Sequence, residues 1–308
     1  MRARVTAPVL LRGFLLCVLL AVLPATAAEP RLFWQAESPA GTVWLLGSLH
    51  FGDPSMYPLP STITAALADA EVLVVEVDIT AHAPEAVAEA ISRRGLYHDG
   101  RRLGDVVDAG TWQSLATIAG DLGVPLPLLE RQKPWFATMT LTTLALSRAG
   151  FPGDLGIDMH MMALAAEQGI PIVELESIAF QLELLDGLSA DAQALMLEQT
   201  LEQLTDTEHH FRRLLEAWQG GDADALAGIL VEELRGPGAD DELYRALLIE
   251  RNATMTRDIV ALLERHDAVF VVVGAGHMVG EDGIVAGLAE RGFRIDQPGL
   301  RSDPPPRP

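Results

Sequence analysis

Two strongly apolar runs, far apart in the chain, end in the same spelling. Leu45-Leu46 leads into Gly47-Ser48-Leu49-His50, and Val271-Val272-Val273 leads into Gly274-Ala275-Gly276-His277. Runs of this composition read as strands, and the second suits a strand buried on both faces, as in a parallel sheet covered by helices. If both lie in one open α/β sheet, its carboxyl edge receives both histidines, and ligands bind at that edge in such folds. Each glycine is read as opening a tight turn that presents the histidine. A third run, Val72-Leu73-Val74-Val75-Glu76-Val77-Asp78, is apolar nearly throughout and carries Glu76 near its end. An ionised, unpaired carboxylate there costs on the order of several kcal/mol, so Glu76 needs a metal, a cation or a proton. Two histidines and a glutamate at one edge can form an N,N,O metal site with open positions.

The rest of the chain supports strands alternating with helices. Strands are expected at 32–36 and 42–46, joined by the turn Ser38-Pro39-Ala40-Gly41, then at 72–77, 170–176, 268–273 and 292–297. Ser61 is a plausible N-cap for a helix over 62–69, and Pro134 suits the first turn of one over 134–148. The fold class expected is α/β, a central mixed or parallel sheet with helical insertions around 84–165 and 178–265. Leu243, Leu247, Leu248, Met255, Ile259, Leu262 and Leu263 fit one apolar helix face. The domain is expected to span 29–300, with a disordered tail at 301–308.

Residues 1–28 read as an export signal: Arg2, Arg4 and Arg12, a short apolar core from Phe14 to Leu23, then Ala25-Thr26-Ala27-Ala28. The apolar core is short for a membrane span. The expected location is therefore periplasmic or secreted, with no stable membrane span after cleavage. Cys17, the one cysteine, lies inside this segment, so the exported form has no disulfide to make and no thiolate for a metal. Charge excludes another class. With 43 acidic against 22 basic residues the net charge is −21, which argues against nucleic acid and anionic membrane surfaces as partners.

Several other groups can join the edge. Asp158, in Gly156-Ile157-Asp158-Met159-His160, is read either as an acid at a helix N-terminus or as a site residue. Glu174 and Glu176 face one side of a strand, toward a site or an exposed edge. Arg251, beside Asn252, is either a partner in a solvated salt bridge or a clamp on a substrate carboxylate or developing oxyanion. Lys133, the one lysine, either starts a helix or holds a substrate or carboxylate. His82, His98, His209, His210 and His266 read as surface residues. Gly274-Ala275-Gly276 also resembles a dinucleotide turn with Asp296 about twenty residues on, but the third glycine is displaced to Gly280.

Leu45 to His50, the strand with Glu76, Lys133-Pro134-Trp135, Gly156-Ile157-Asp158, Val173-Glu174-Leu175-Glu176-Ser177, Arg251-Asn252 and Val273 to His277 together resemble the TraB/GumN family, which includes the animal Tiki proteins. The resemblance runs over residues 32–297. It implies an α/β fold shared with Tiki, erythromycin esterase-like and ChaN-like proteins. From the Tiki branch it implies divalent-metal-dependent peptidase activity, with manganese or cobalt ahead of zinc. The metal-binding and catalytic residues it points to are His50, His277 and Glu76. TraB-type members are linked to pheromone peptide shutdown, and GumN-type members occur among exopolysaccharide genes.

The leading expectation is an exported metal-dependent hydrolase, a peptidase with a peptide or protein substrate. Metal or activated water sits on His50, Glu76 and His277; Arg251 serves catalysis; Asp158, Glu176, Lys133 and Asn252 support these groups or the substrate. The alternative is a non-catalytic binding protein for a peptide or haem, which the ChaN-like kinship keeps open.

Overall fold

The computed structural model describes residues 31–230, 234 and 241–299. The expected signal 1–28 with Cys17 and the tail 301–308 lie outside the described residues.

Six strands form one mixed sheet: β1 (Phe33–Ser38), β2 (Gly41–Ser48), β3 (Val72–Val75), β4 (Ile172–Glu174), β5 (Ala268–Gly274) and β6 (Arg294–Asp296). The order across the sheet is β4-β3-β5-β2-β1-β6. β4, β3, β5 and β2 run parallel, while β1 is antiparallel to both β2 and β6. The hairpin β1–β2 closes on Ser38 opposite Gly41, as the turn cluster requires. All four β3 residues and five of seven in β5 are buried, which explains their unbroken apolar spelling.

Strand lengths depart from the sequence reading at both ends. β2 and β5 run on through the motif glycines, and Ser48 pairs with Gly274 across the ladder. Gly47 therefore lies inside extended strand and opens no turn, whereas Gly274 ends β5 and leads straight into a helical turn, Ala275–Met278. Their role is space. A Cβ on Gly47 would sit 3.2 Å from the Leu32 Cβ and 3.3 Å from the Ala275 Cα. β3 stops at Val75, so Glu76 is the first residue beyond it. β4 keeps only three residues of the expected run because it is an edge strand, bonded to β3 alone. The helix expected at 62–69 spans Ser61–Asp69, with Pro60 in the cap position and no side chain capping it.

Helices fill the long connections. Between β3 and β4 lie Pro84–Gly95, Ala109–Asp121, Pro134–Arg148 and Ile157–Gln168; between β4 and β5 lie Ile178–Gly187, Ala190–Leu204, Thr207–Gly220, Ala223–Leu230 and Glu250–Leu262. The two groups pack on each other as well as on the sheet. Leu103, Leu115, Leu129 and Leu141 share an apolar cluster with Leu197 and Leu201, apart from the sheet's own core. The single apolar face expected from Leu243 to Leu263 is divided. A π-helical stretch, Arg245–Ile249, precedes Glu250–Leu262. Leu243 packs with Leu188 and Ala192, whereas Leu248, Met255, Ile259, Leu262 and Leu263 join the sheet core. Such stretches recur at functional sites because they re-aim the side chains that follow. Arg251 and Asn252 are those side chains.

Candidate functional site

Three neighbouring parallel strands, β3, β5 and β2, end side by side. Glu76 lies one residue past β3, His277 three past β5 and His50 two past β2. β5 is the middle strand, so its terminal Gly274 becomes the floor between the other two. A Cβ on Gly274 would lie 3.1 Å from Glu76 Oε1, 3.5 Å from His50 Nε2 and 3.7 Å from His277 Cδ2. That missing methyl is a small cradle ringed by all three groups.

Glu76 is fixed on every side. Its Oε1 accepts the Gly274 N–H at 2.6 Å, and its Oε2 accepts from Arg251 at 2.8 Å and from Gln181 at 3.3 Å. Arg251 also grips Glu176 with two bonds of 2.8 Å and caps the Leu247 carbonyl at 3.1 Å. Both side chains of the Arg251–Glu76 pair are little exposed, at 11% and 12%. Burial alone would raise the Glu76 pKa. The charges of His277, His50 and Arg251, with the Gly274 N–H, outweigh it and hold it at about 2. The cation that the buried glutamate needs is thus Arg251, whose guanidinium is spent on Glu76 and Glu176 and not held free as a clamp.

The two histidines differ sharply. His277 is buried, and its Nδ1 lies 2.5 Å from Asn252 Oδ1. Asn252 gives its own N–H to the Asp282 carbonyl at 2.8 Å, so its oxygen must face His277 and accept the Nδ1 proton. Nε2 is left with its lone pair, 3.9 Å from Glu76 Oε1. Burial lowers the His277 pKa; the Glu76 charge opposes and Arg251 assists, leaving it at about 4. His50 has a side chain 57% exposed, with Nδ1 3.3 Å from Asp158 Oδ2. Desolvation of its ring works to lower the pKa, but the Asp158 hydrogen bond and charge, with Glu76 behind, raise it to about 9. The solvent that reaches His50 tempers both effects.

Asp158 is in the first turn of Ile157–Gln168 and also reaches His50, so both readings of it describe one residue. Ser48 fixes it, donating to Oδ1 at 3.0 Å and accepting the Asp158 N–H at 3.2 Å. Sequence reasoning passed over Ser48 although it stands inside the motif, and over Gln181, for which the sequence carries no signal. Trp218 is a third omission: its indole N–H donates to the Gly47 carbonyl at 2.6 Å, pinning the motif from below. Lys133 is not brought to this group. It pairs with Asp186, which Trp135 also contacts at 3.3 Å, because the helix Pro134–Arg148 directs it to another pocket. Glu174 is exposed and accepts the Asp78 N–H.

The donor set suits a divalent ion in kind. Each imidazole has Nδ1 tied to an oxygen and Nε2 near the cradle, the orientation that second partners impose on metal-binding histidines. As they stand, no three His, Cys, Asp or Glu side chains among the described residues close into a metal-holding group. Beside the cradle opens a cleft of about 510 Å³, lined by Phe51, Phe211, Leu248 and Arg251 among others. Among the described residues no helix is long and apolar enough to cross a membrane.

A model of the TraB/PrgY/gumN family matches residues 32–297, nearly all of the described chain. The chain belongs to this family. YbaP of Escherichia coli strain K12, whose printed name calls it uncharacterized, is 27% identical over 246 residues, covering 77% of this chain and 84% of its own. An uncharacterized protein of Treponema pallidum is 21% identical over 267 residues, 83% of this chain and 79% of its own. No solved structure matches the chain significantly. Within this TraB/PrgY/gumN member, both Gly-x-x-His motifs fall inside the matched span and at one sheet edge.

Proposed function

We propose that this protein is an exported, divalent-metal-dependent hydrolase that cleaves peptide bonds. The observation that carries the reading is the convergence of Glu76 Oε1, His50 Nε2 and the His277 ring on the cradle above Gly274. His50, His277 and Glu76 would hold the ion, which when bound supplies a lowered water pKa and a polarised carbonyl. Asp158 holds the His50 ring so that Nε2 faces the cradle, the orientation a ligand of the ion needs. Asn252 holds His277 in the tautomer with its lone pair outward. Arg251 keeps Glu76 ionised and fixed. The cleft beside the cradle, about 510 Å³ and lined mostly by apolar side chains, has the size and chemistry of a site for part of a peptide. Export is supported by the basic-then-apolar opening of the sequence.

The test is metal loading of the purified protein with manganese, cobalt or zinc, followed by peptide-library cleavage read by mass spectrometry. His50→Ala and His277→Ala should each slow turnover by roughly a hundredfold or more. No cleavage under any of the three metals, or equal rates in both variants, would sink the assignment. The apolar cleft with a histidine at its rim also favours a second reading, a peptide or haem binder without turnover. It predicts a Soret band on adding haemin, lost in His50→Ala.

A further inference from the structure

The cradle has a second opening. A separate pocket of about 230 Å³ shares His50 and Glu76 with the wide cleft and adds Asp158. Its floor is the end of the sheet, Val75, Val272 and Val273 of the core, and its outer apolar wall is Ile79, Val87, Ile91, Met139, Ile178 and Leu182. None of these six belongs to any of the protein's three apolar clusters. The helix Pro84–Gly95 buries no residue except Gly95, and its Val87 and Ile91, one turn apart, turn toward this pocket half-covered. Val87 and Ile91 are therefore an apolar stripe that the protein itself covers only in part. Ile79 and Met139 are 45% and 37% exposed, two of only five large apolar side chains so exposed among the described residues. Surface placed this way is unfavourable unless something covers it.

We infer that this pocket receives a large apolar side chain of the peptide substrate, of leucine, methionine or phenylalanine type, beside the bond to be cut. The inference rests on the hydrolase reading for the words "substrate" and "cut", but the pocket's chemistry stands on its own walls. Size agrees: cavities of ~150 Å³ lined by aliphatic and aromatic groups already admit benzene. Polarity agrees too. The polar wall is confined to one end, where His50, Glu76 and Asp158 stand with Gln181, whose amide N–H groups already serve Glu76 and Glu176. A side chain reaching past them meets apolar wall, where an amide or carboxylate would lose water without gaining partners. The wide cleft, which shares His50 and Glu76 with this pocket, is then left for the chain on the other side of the bond.

The test uses two readouts. Protein labelled with ¹³C at its methionine methyls is titrated with N-acetyl-leucine amide and with N-acetyl-glutamine amide, which are similar in size. The Met139 methyl should shift saturably with the leucine compound and at least tenfold more weakly with the glutamine one. Val87→Trp should fill the pocket and weaken the leucine response at least tenfold. Ile79→Asp, at a well-exposed position that leaves the core alone, should do the same. In peptide-library cleavage, the wild type should prefer a large apolar residue at one position, and Val87→Trp should move that preference to glycine or alanine. Equal responses to both amides, or a cleavage preference unchanged in Val87→Trp, overturns the inference while leaving the hydrolase reading intact. A selective Met139 response without cleavage of any peptide supports the pocket and overturns the hydrolase reading.

Discussion

The two Gly-x-x-His segments share the first and last of four residues and little of their surroundings. His277 is buried, has its pKa lowered and is held by an amide; His50 is largely exposed, has its pKa raised and is held by a carboxylate. After Gly274 the chain winds into a short helical turn, Ala275–Met278, whereas after Ser48 it enters a loop braced by Ser48 and Asp158. A motif therefore fixes where a side chain emerges, and its neighbours decide what state the side chain is in. One histidine belongs to the protein's interior and the other to its surface.

The contrast breaks most visibly on the buried side. Arg251→Met leaves Glu76 and Glu176 facing each other without a cation and should cost about 3–5 kcal/mol in urea unfolding. A loss under about 1 kcal/mol would mean that the buried side is not held by charge. Next in size is Gly47→Ala, which presses a methyl against Leu32 and Ala275 and should cost about 1–3 kcal/mol. Gly274→Ala meets the ends of side chains instead, so it should block hydrolysis by filling the cradle with a smaller loss of stability. Equal stability losses would erase that distinction.

The histidines themselves should differ by less. His277→Ala strands the Asn252 oxygen and should cost about 1–3 kcal/mol. His50→Ala removes a half-solvated pair and should cost under about 1 kcal/mol. The smallest effect sharpens the comparison most. In chelator-treated protein, imidazole NMR should show His277 neutral down to about pH 4 and His50 protonated up to about pH 9. The linkage signs are opposite. Below the ordinary value of 6.5 the unfolded His277 takes a proton that the folded one refuses, so stability falls with acid toward pH 4. His50 contributes stability fully below 6.5 and loses it as pH rises through about 9. Coincident titrations would end the comparison.

The sheet and the three edge residues were legible because apolar strand runs and the motif glycines are local patterns. Glu76 stood out since nothing beside it in sequence could neutralise it. Its partner lies 175 positions away, and no periodicity announces that distance. Arg251 and Asn252 were noticed only as a pair. Being adjacent on a helix, they point in different directions, one to Glu76 and the other to His277. Lys133 misled because an isolated lysine looks chemical, yet a helix start beside Asp186 absorbs it. The strand ends were misjudged because glycine reads as a turn when its backbone conformation is assumed. Here its lack of a side chain was the point.

The order of the sheet has a consequence in time. β5, the central strand between β3 and β2, is made some two hundred residues after them. Until it arrives, those two strands have no common neighbour, and the Gly274 floor is missing. A chain still emerging from the ribosome therefore carries His50 and Glu76 without a place for them to meet. The fold is its own safety catch, withholding the assembled edge until nearly the whole chain has been made.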